Sequence, residues 1–293
     1  MNDTVRTDAG PDTRHAGLLD RVYANFRQYL TGWGEEVRAT GITDHFRSGL
    51  AQPQFNGVVR LRRPAEAGEA VTAAGEALAG VPWWWWVGQD SPVGTREALT
   101  RHGMTELGSL PVMARPLDRL GPAPRTPEGV RIVPEAGPGL LADVVRVYSR
   151  SMGAVPGIEP DLARIEARRA DNGVIDRLAA LDEGRVTGTA TVISAYDVAG
   201  IFLVHVAEEY RRRGIGAALT EAALRAGRDR GMRHAALVAS PAGEPLYRRL
   251  EFTTVSEYHL FAPPAPDAAR PPTPHIPPSV RLTRDVSRGW AAR

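Results

Sequence analysis

Residues 204–219, VHVAEEYRRRGIGAAL, form the stretch that decides the fold of this chain. A run rich in β-branched residues ends at a turn, and Gly214 and Gly216 then open an alanine-rich amphipathic segment. The pattern predicts a strand, a tight loop and a helix N-terminus, where free N–H groups and the positive end of the helix dipole attract anions. Because glycines let the backbone approach an anion closely, we predict a phosphate-binding turn here, beside the charge of three consecutive arginines at 211–213.

Two well-known phosphate motifs are excluded by the residues around these glycines. No Lys-Ser or Lys-Thr pair comes after Gly216, as a P-loop requires, and no third glycine has the Rossmann spacing. What remains is Arg-x-x-Gly-x-Gly, made by Arg211, Gly214 and Gly216, with Tyr247 downstream. This combination resembles the pyrophosphate loop of the GNAT N-acetyltransferases, and the resemblance extends over about residues 130–262.

The resemblance implies a fold and an acyl donor. It implies an α/β fold with a mixed (α+β) sheet, a GNAT domain in the C-terminal half, and acetyl-CoA as the donor. The backbone of Val204, His205 and Val206 would pair with the pantetheine arm, which is peptide-like and suits an open strand edge. The diphosphate would lie on the loop amides, in a run that comprises Arg211, Arg212, Arg213, Gly214, Ile215, Gly216, Ala217 and Ala218. The alternative is a glycine turn that only caps a helix.

Tyr247 is the candidate catalytic residue. By resemblance it protonates the departing CoA thiolate, and a phenol can act as a general acid at neutral pH without a lowered pKa. The alternative is a core tyrosine whose hydroxyl is satisfied. Ser240, seven residues earlier, stands where the family has Asn, so we expect a weaker or different hydrogen bond to the donor. Two further departures are Glu208, where many members have proline, and Glu251, where many have glycine.

The general base is left open by the sequence. His205 has a suitable intrinsic pKa, but strand alternation predicts that its side chain lies on the face opposite Phe202, Val204 and Val206. If the face that carries Phe202, Val204 and Val206 lines the acceptor pocket, as in the family, His205 points elsewhere. Looser candidates are Glu166, Asp197 and His259. Many members of the family deprotonate the amine through ordered water, so a dedicated base is not required.

Composition narrows the function further. The 293 residues contain no cysteine, which rules out disulfides, thiolate catalysis and cysteine metal sites, and we predict no metal site. All 36 basic residues are arginine and the net charge is only +2, so no nucleic-acid partner is expected. The many Ala, Gly and Arg residues are typical of a GC-rich bacterial genome. We find no signal peptide and no apolar run of about 20 residues, and expect a cytoplasmic protein without membrane contact.

A faint internal repeat suggests two related halves. Residues 246–252, LYRRLEF, are echoed by residues 99–104, LTRHGM, and a Ser-Pro pair precedes each copy, at 91–92 and 240–241. We therefore predict a tandem protein with a degenerate GNAT-like N-terminal domain; the alternative is an unrelated N-terminal domain. The predicted segments are a disordered N-terminus at 1–15, the degenerate domain at 16–120, a proline-rich linker at 121–127, the catalytic domain at 128–262 and a Pro/Arg-rich tail at 263–293.

Periodicity and turn signals predict the secondary structure. Helices are predicted at 16–30, 65–78, 95–102, 138–151, 160–169, 215–230 and 244–250. Strands are predicted at 55–61, 81–87, 110–114, 130–133, 177–181, 186–196, 200–206, 234–239, 252–255 and 258–261, with the last two paired.

Residues 83–86 are four consecutive tryptophans. Strand alternation would direct two rings to each face. Three interpretations are open: a core or domain interface, an aromatic wall for a flat or cationic substrate, and a surface patch for a partner.

The sequence thus predicts an acetyl-CoA-dependent N-acetyltransferase that transfers an acyl group directly to a primary amine of a small molecule or a peptide N-terminus. The alternative is a non-catalytic acyl-CoA-binding or regulatory protein with the same fold. A homodimer is an open alternative to a monomer. The acceptor, the acyl chain and donor binding by the N-terminal half cannot be read from the residues.

Overall fold

A computed structural model of the chain describes residues 13–39, 41–122, 126–134 and 138–264. The predicted disordered N-terminus and the predicted tail lie mostly outside these residues, as does the middle of the proline-rich linker. Below, the N-terminal half means the described residues up to 122 and the C-terminal half means those from 126 onward. Within the described chain, no helix combines the length and the apolar character that a bilayer span needs.

The described residues form one mixed sheet of eleven strands, flanked by seven α-helices. The strands are β1 (Glu36–Ala39), β2 (Thr43–Arg47), β3 (Asn56–Leu61), β4 (Trp84–Val87), β5 (Thr105–Pro116), β6 (Val130–Pro134), β7 (Ile175–Asp182), β8 (Arg185–Ala195), β9 (Val198–Val206), β10 (His234–Val238) and β11 (Thr253–Ala262). The helices are α1 (Thr13–Thr31), α2 (Ala67–Ala77), α3 (Thr95–Arg101), α4 (Pro138–Met152), α5 (Glu159–Arg168), α6 (Ile215–Asp229) and α7 (Glu244–Arg249).

The order of the strands shows an internal duplication. Along the sheet it is β1-β2-β3-β4-β11-β5-β10-β9-β8-β7-β6. Both β3–β4 and β9–β10 are parallel pairs, and every other neighbouring pair is antiparallel. When β6 is left out, the first five strands from one end of the sheet are β1-β2-β3-β4-β11, and the first five from the other end are β7-β8-β9-β10-β5. Strands β1 to β5 therefore correspond to strands β7 to β11. The predicted mixed sheet is confirmed, and so is the prediction of two related halves.

The two halves exchange their last strands at the centre of the sheet. Strand β5 of the N-terminal half pairs with β10, while β11 of the C-terminal half pairs with β4, and β5 and β11 pair with each other. Each half therefore completes the sheet of the other half.

Most predicted elements are confirmed with small boundary shifts, and the prediction of two separate final strands is wrong. Helix α1 begins at Thr13 and not at residue 16. The two predicted final strands are one strand, β11, because the expected break is a β-bulge between Thr254 and Ser256 and not a turn. Strands β1 and β2 were not predicted. The strands predicted at 177–181 and 186–196 form a hairpin, and Glu183 and Gly184 both have positive φ in its two-residue turn.

Helix α1 belongs to the N-terminal half but packs on strands of the C-terminal half. Asn25 is 1% exposed, and its side-chain amide donates to the carbonyls of Ile193, Ala195 and Val198 on β8 and β9. A Cβ at Gly200 would lie 1.9 Å from the Asn25 side chain, so glycine is required there. This contact directs the next two turns of α1 toward the C-terminal half of β9.

Candidate active site

Strands β9 and β10 separate after a short paired segment. Their parallel register runs from Val198 opposite His234 to Gly200 opposite Ala236 and then stops. Strand β9 continues to Val206, where its other edge is still paired with β8. Residues 201–206 therefore present backbone groups toward β10 without a ladder partner. An open edge of this kind can bind an extended, amide-containing ligand.

A β-bulge at Leu203 changes which side chains share a face of β9. Leu203 has φ +51°, and its carbonyl accepts a hydrogen bond of 2.8 Å from the Thr189 hydroxyl. Phe202 packs with the apolar cluster under α1 and α4, whereas Val204 and Val206 pack with the cluster under α6. The prediction that Phe202 shares a face with these two valines is wrong, because the bulge inserts one residue into the alternation.

The turn after β9, where the sequence predicts an anion cradle, leads directly into α6. Arg212 has φ +62° and Gly214 has φ +83°, and Gly214 is the N-cap of α6. The first intrahelical bond joins the Ala218 N–H to the Gly214 carbonyl, so the N–H groups of residues 215–217 have no partner within the helix. No acidic residue lies in the first turn of α6. Free amides and the helix dipole therefore point at the cavity, and the first turn of the helix carries no carboxylate that would repel an anion.

Gly216 leaves space for a ligand between β9 and α7. A Cβ at this position would lie 3.5 Å from Leu246 and 3.7 Å from Val206, which is ordinary contact. A side chain at residue 216 would therefore fill the space between the open strand edge and the helix amides.

The three arginines of the loop have different partners. Arg211 donates to the Val206 carbonyl over 3.2 Å. The Arg213 guanidinium pairs with Asp182 at 3.0 Å and stacks over Tyr210 at 5.3 Å. Arg212 is exposed and has no ion pair among the described residues. It is therefore the loop guanidinium that is free to pair with a ligand phosphate.

Tyr247 lies on α7 with its ring packed edge-on against Phe252, 5.9 Å between centroids. The ring is 9% exposed, and its hydroxyl makes no hydrogen bond within the part of the chain that the structure describes. Burial raises the pKa of Tyr247 to about 12, which keeps the phenol protonated throughout the neutral range. It is therefore available to donate a proton into the cavity.

Ser240 organises the turn that leads into α7. Its hydroxyl accepts a hydrogen bond of 3.2 Å from the Gly243 N–H, and its carbonyl accepts from the N–H groups of Gly243 and Glu244. The residue predicted to contact the donor thus positions the helix that carries Tyr247.

One continuous cavity of about 1010 Å³ joins these features. Most of the predicted site residues line it: Val204, His205, Val206, Arg211, Arg212, Gly214, Ile215, Gly216, Ala217, Ser240 and Tyr247. Arg213 and Ala218 are not in the lining, because Arg213 turns to Asp182 and Ala218 is buried on α6.

His205 lies in the cavity wall and differs from an ordinary histidine. Its Nδ1 is 2.9 Å from the Ser151 hydroxyl at the end of α4. Burial, assisted by the nearby Arg211 guanidinium, lowers the pKa of His205 to about 4. The imidazole is neutral at pH 7 and is a weak base.

The other candidates for the general base lie outside the cavity lining. Glu166 is buried and pairs with Arg177 at 2.5 Å. Asp197 pairs with Arg21 and Arg233. His259 contacts Glu106 at the edge between β5 and β11. The structure does not bring these groups near Tyr247.

The N-terminal half supplies one wall of the cavity, and the part of this wall that α1 forms was not predicted from the sequence. Phe26, Tyr29 and Leu30 reach the cavity from α1, and Gln54 and Leu110 also line it. Trp84 and Trp86 face the cavity, whereas Trp83 and Trp85 pack under α2 and α3. The alternation of the tryptophans was predictable, but the sequence could not show which face met the site.

Comparisons with known proteins identify the fold of this site. Residues 141–252 match the model of the acetyltransferase (GNAT) family, and this match covers most of the C-terminal half. A search of curated proteins found no match.

Several solved structures share the fold over most of the chain. A GCN5-related N-acetyltransferase from Kribbella flavida is 17% identical, with a TM-score of 0.62 over 86% of this chain and 95% of that one. Another, from Sphaerobacter thermophilus, is 22% identical, with a TM-score of 0.58 over 77% and 78%. A tandem GNAT protein from the clavulanic acid biosynthesis pathway is 13% identical, with a TM-score of 0.56 over 89% and 98%. The family match indicates acyl transfer in general, and at these identities the structural likenesses show the fold alone.

Proposed function

We propose that this chain is an acetyl-CoA-dependent N-acetyltransferase that acylates a primary amine by direct attack. One observation carries the proposal: the hydroxyl of Tyr247, which has no partner among the described residues, shares a cavity with the open edge of β9 and the free amides of α6. An acyl-transfer site requires such an arrangement, because the donor must be held at both ends while its leaving group meets an acid.

The donor would supply an activated thioester, and the chain would hold it at two places. The residues at 201–206 offer an unpaired strand edge that suits the amides of the pantetheine arm. The amides of residues 215–217 and the Arg212 guanidinium suit the diphosphate. The space left by Gly216 connects the two places.

In the proposed step, the amine nitrogen forms a bond to the thioester carbonyl carbon and the carbon–sulfur bond breaks. A backbone N–H near Val206, on the open edge, would stabilise the carbonyl oxygen. Tyr247 would give its proton to the departing sulfur and regain one from solvent. Since the chain contains no cysteine, no acyl-cysteine intermediate can form.

The proton of the attacking amine would go to water. His205 is a poor acceptor for this proton. Its pKa of about 4 is far below that of an ammonium group, so transfer of a proton from the ammonium to the imidazole is unfavourable. Among the described lining residues the one carboxylate is Glu208, which is exposed beside the phosphate loop. We therefore expect the rate to follow the pKa of the amine, with no inflection near 6.5.

Replacement of Tyr247 by phenylalanine tests the assignment. Loss of the acid should lower kcat about 100-fold while leaving the Kd of acetyl-CoA unchanged. Released CoA can be followed with a thiol reagent, since the protein itself contributes no thiol. Tyr196→Phe is the matched control, because Tyr196 is 52% exposed and lies outside the cavity.

An unchanged kcat in Tyr247→Phe would contradict the acid role. Tight binding of acetyl-CoA without turnover of any amine would instead favour the non-catalytic binding protein, which the degenerate N-terminal half makes a real alternative.

A further inference from the structure

The cavity has a second end that the acyl donor does not account for. We call it the aromatic end and define it by Phe26, Tyr29, Trp84, Trp86, Leu110 and Phe202. All but one of these side chains come from the N-terminal half. The donor-binding features, by contrast, come from β9, α6 and α7 of the C-terminal half.

The aromatic end is held in place by ring contacts. Phe26 meets Trp86 edge-on at 5.4 Å, and Trp84 meets Trp86 edge-on at 6.0 Å. Tyr29 and Phe202 are stacked at 3.9 Å with an angle of 2° between their planes. Such contacts fix the rings before a ligand arrives, so the apolar walls are preformed.

The charges around the cavity argue against a cationic substrate. Four arginines line it, at positions 150, 211, 212 and 249, and all are exposed. The single lining carboxylate within the described residues, Glu208, belongs to the phosphate loop and not to the aromatic end. A polyamine or an aminoglycoside carries several ammonium groups, and burying them here without carboxylates would be unfavourable.

One uncharged polar side chain complements this apolar wall. Gln54 is 8% exposed and lines the cavity, and its buried Oε1 has no hydrogen-bond partner among the described residues. An amide that the protein leaves partly unpaired can bind one polar group on a ligand.

We propose that the aromatic end binds the acceptor, and that this acceptor is a monoamine on a flat, apolar aromatic body. The ring packs against Trp84 and Trp86, and the amino group extends toward the part of the cavity lined by Tyr247. This proposal rests on the proposed N-acetyltransferase function. A competing occupant is the acyl chain of a longer acyl-CoA, which shares the apolar chemistry.

The first test measures binding and does not need turnover. Tryptamine, phenethylamine, spermidine and glucosamine are titrated into full-length protein saturated with CoA, by calorimetry and by quenching of tryptophan fluorescence. The aromatic amines should bind at least about tenfold more tightly than the other two, as expected for burial of one ring. Equal binding of all four, preference for spermidine or glucosamine, or no binding of any would overturn the proposal.

A matched pair of variants locates the site. Trp84→Leu should weaken tryptamine binding at least about fivefold, since it removes ring contact in the cavity, and should leave the Kd of acetyl-CoA unchanged. Trp83→Leu makes the same change one residue away, on the face that packs under α2 and α3, and should leave both affinities unchanged. Melting curves show whether each variant is folded. The binding of the four amines to the wild-type protein tests the proposal even if neither variant folds.

The outcomes separate the two proposals. If wild-type protein fails to bind acetyl-CoA, the proposed function fails. If it binds acetyl-CoA and acetylates other amines in preference to aromatic ones, only the present inference fails. If Trp84→Leu weakens octanoyl-CoA relative to acetyl-CoA and leaves tryptamine unchanged, the aromatic end belongs to the acyl group and the proposal is overturned.

Discussion

The two halves of this molecule share a strand arrangement but differ at the point where a phosphate would bind. In the N-terminal half, β3 and β4 are parallel over Gly57 and Val58 and then separate. In the C-terminal half, β9 and β10 do the same after Gly200. A separated pair of strands is thus present twice, so it cannot by itself create a donor site.

The difference lies where the next helix begins. Helix α6 follows a glycine N-cap and has no acidic residue in its first turn. Helix α2 instead follows a 3₁₀ turn at Pro64–Glu66, with Glu66 as its N-cap and Glu69 in its first turn. Carboxylates at a helix N-terminus occupy the favourable end of the dipole and repel a diphosphate.

The open end of the N-terminal pair also carries charged groups of its own. Asp90, which follows β4, is buried and forms an ion pair with Arg27 of α1. Burial raises the pKa of Asp90, and the guanidinium groups of Arg27 and Arg60 oppose this. Thr100, the counterpart of Tyr247 in the sequence echo, donates its hydroxyl to the Arg96 carbonyl within α3.

The comparison indicates that donor chemistry depends on the loop and helix start, and that the sheet only provides the frame. The N-terminal half has kept the frame and, in our proposal, has become the wall of the acceptor site.

The largest expected effect comes from Gly214→Asp. A left-handed φ of +83° is strained for aspartate, and its carboxylate would meet the amides intended for phosphate. We expect acetyl-CoA affinity to fall at least about 100-fold, measured by calorimetry. Gly94→Asp is the matched control, because Gly94 is a helix N-cap with φ +86° in the other half. Equal losses in both variants would show a general folding defect and would contradict a local role.

Substitution of the loop arginines should reduce acetyl-CoA affinity less than Gly214→Asp does, and by unequal amounts. Arg212→Ala removes a guanidinium that has no ion-pair partner in the described part of the chain, so acetyl-CoA affinity should fall about tenfold. Arg213→Ala removes one already paired with Asp182 and should change affinity about twofold at most. Calorimetry at two salt concentrations measures both affinities. A larger loss of affinity in Arg213→Ala than in Arg212→Ala would contradict the assigned roles.

The smallest expected effect is on acid stability. Because the pKa of His205 is lowered to about 4 in the folded protein, the unfolded state binds more protons between pH 6.5 and 4. The free energy of unfolding therefore falls as the pH falls through this window. In His205→Gln, the free energy of unfolding should fall by about 1 kcal/mol less over this window than in the wild-type protein. This figure already allows for the partial exposure of the His205 ring. Urea melts at pH 7 and pH 4.5 measure it, and identical pH dependence in both proteins would refute the assignment.

The donor half of the site was predictable because its signals are local. A glycine before an amphipathic run predicts a helix N-terminus, and the structure places Gly214 there with positive φ. The wall formed by α1 depends on Asn25, whose partners lie more than 160 residues away and leave no local pattern. Leu203 in the bulge has positive φ although it is not a glycine, so no residue type in the sequence indicates the bulge. The faces of β9 were assigned wrongly for this reason.

The exchange of β5 and β11 could not be predicted for a related reason. Both strands have ordinary patterns, and their partners are decided by contacts across the whole chain. The sequence echo indicated two copies but could not show that each copy completes the other.

The number of acetyl-CoA molecules bound per chain tests the central claim most directly. Calorimetric titration of the full chain should give one site, and that site should disappear in Gly214→Asp. Two sites in the wild-type protein, or one site that survives in the variant, would show that the N-terminal half binds the donor and would contradict the account.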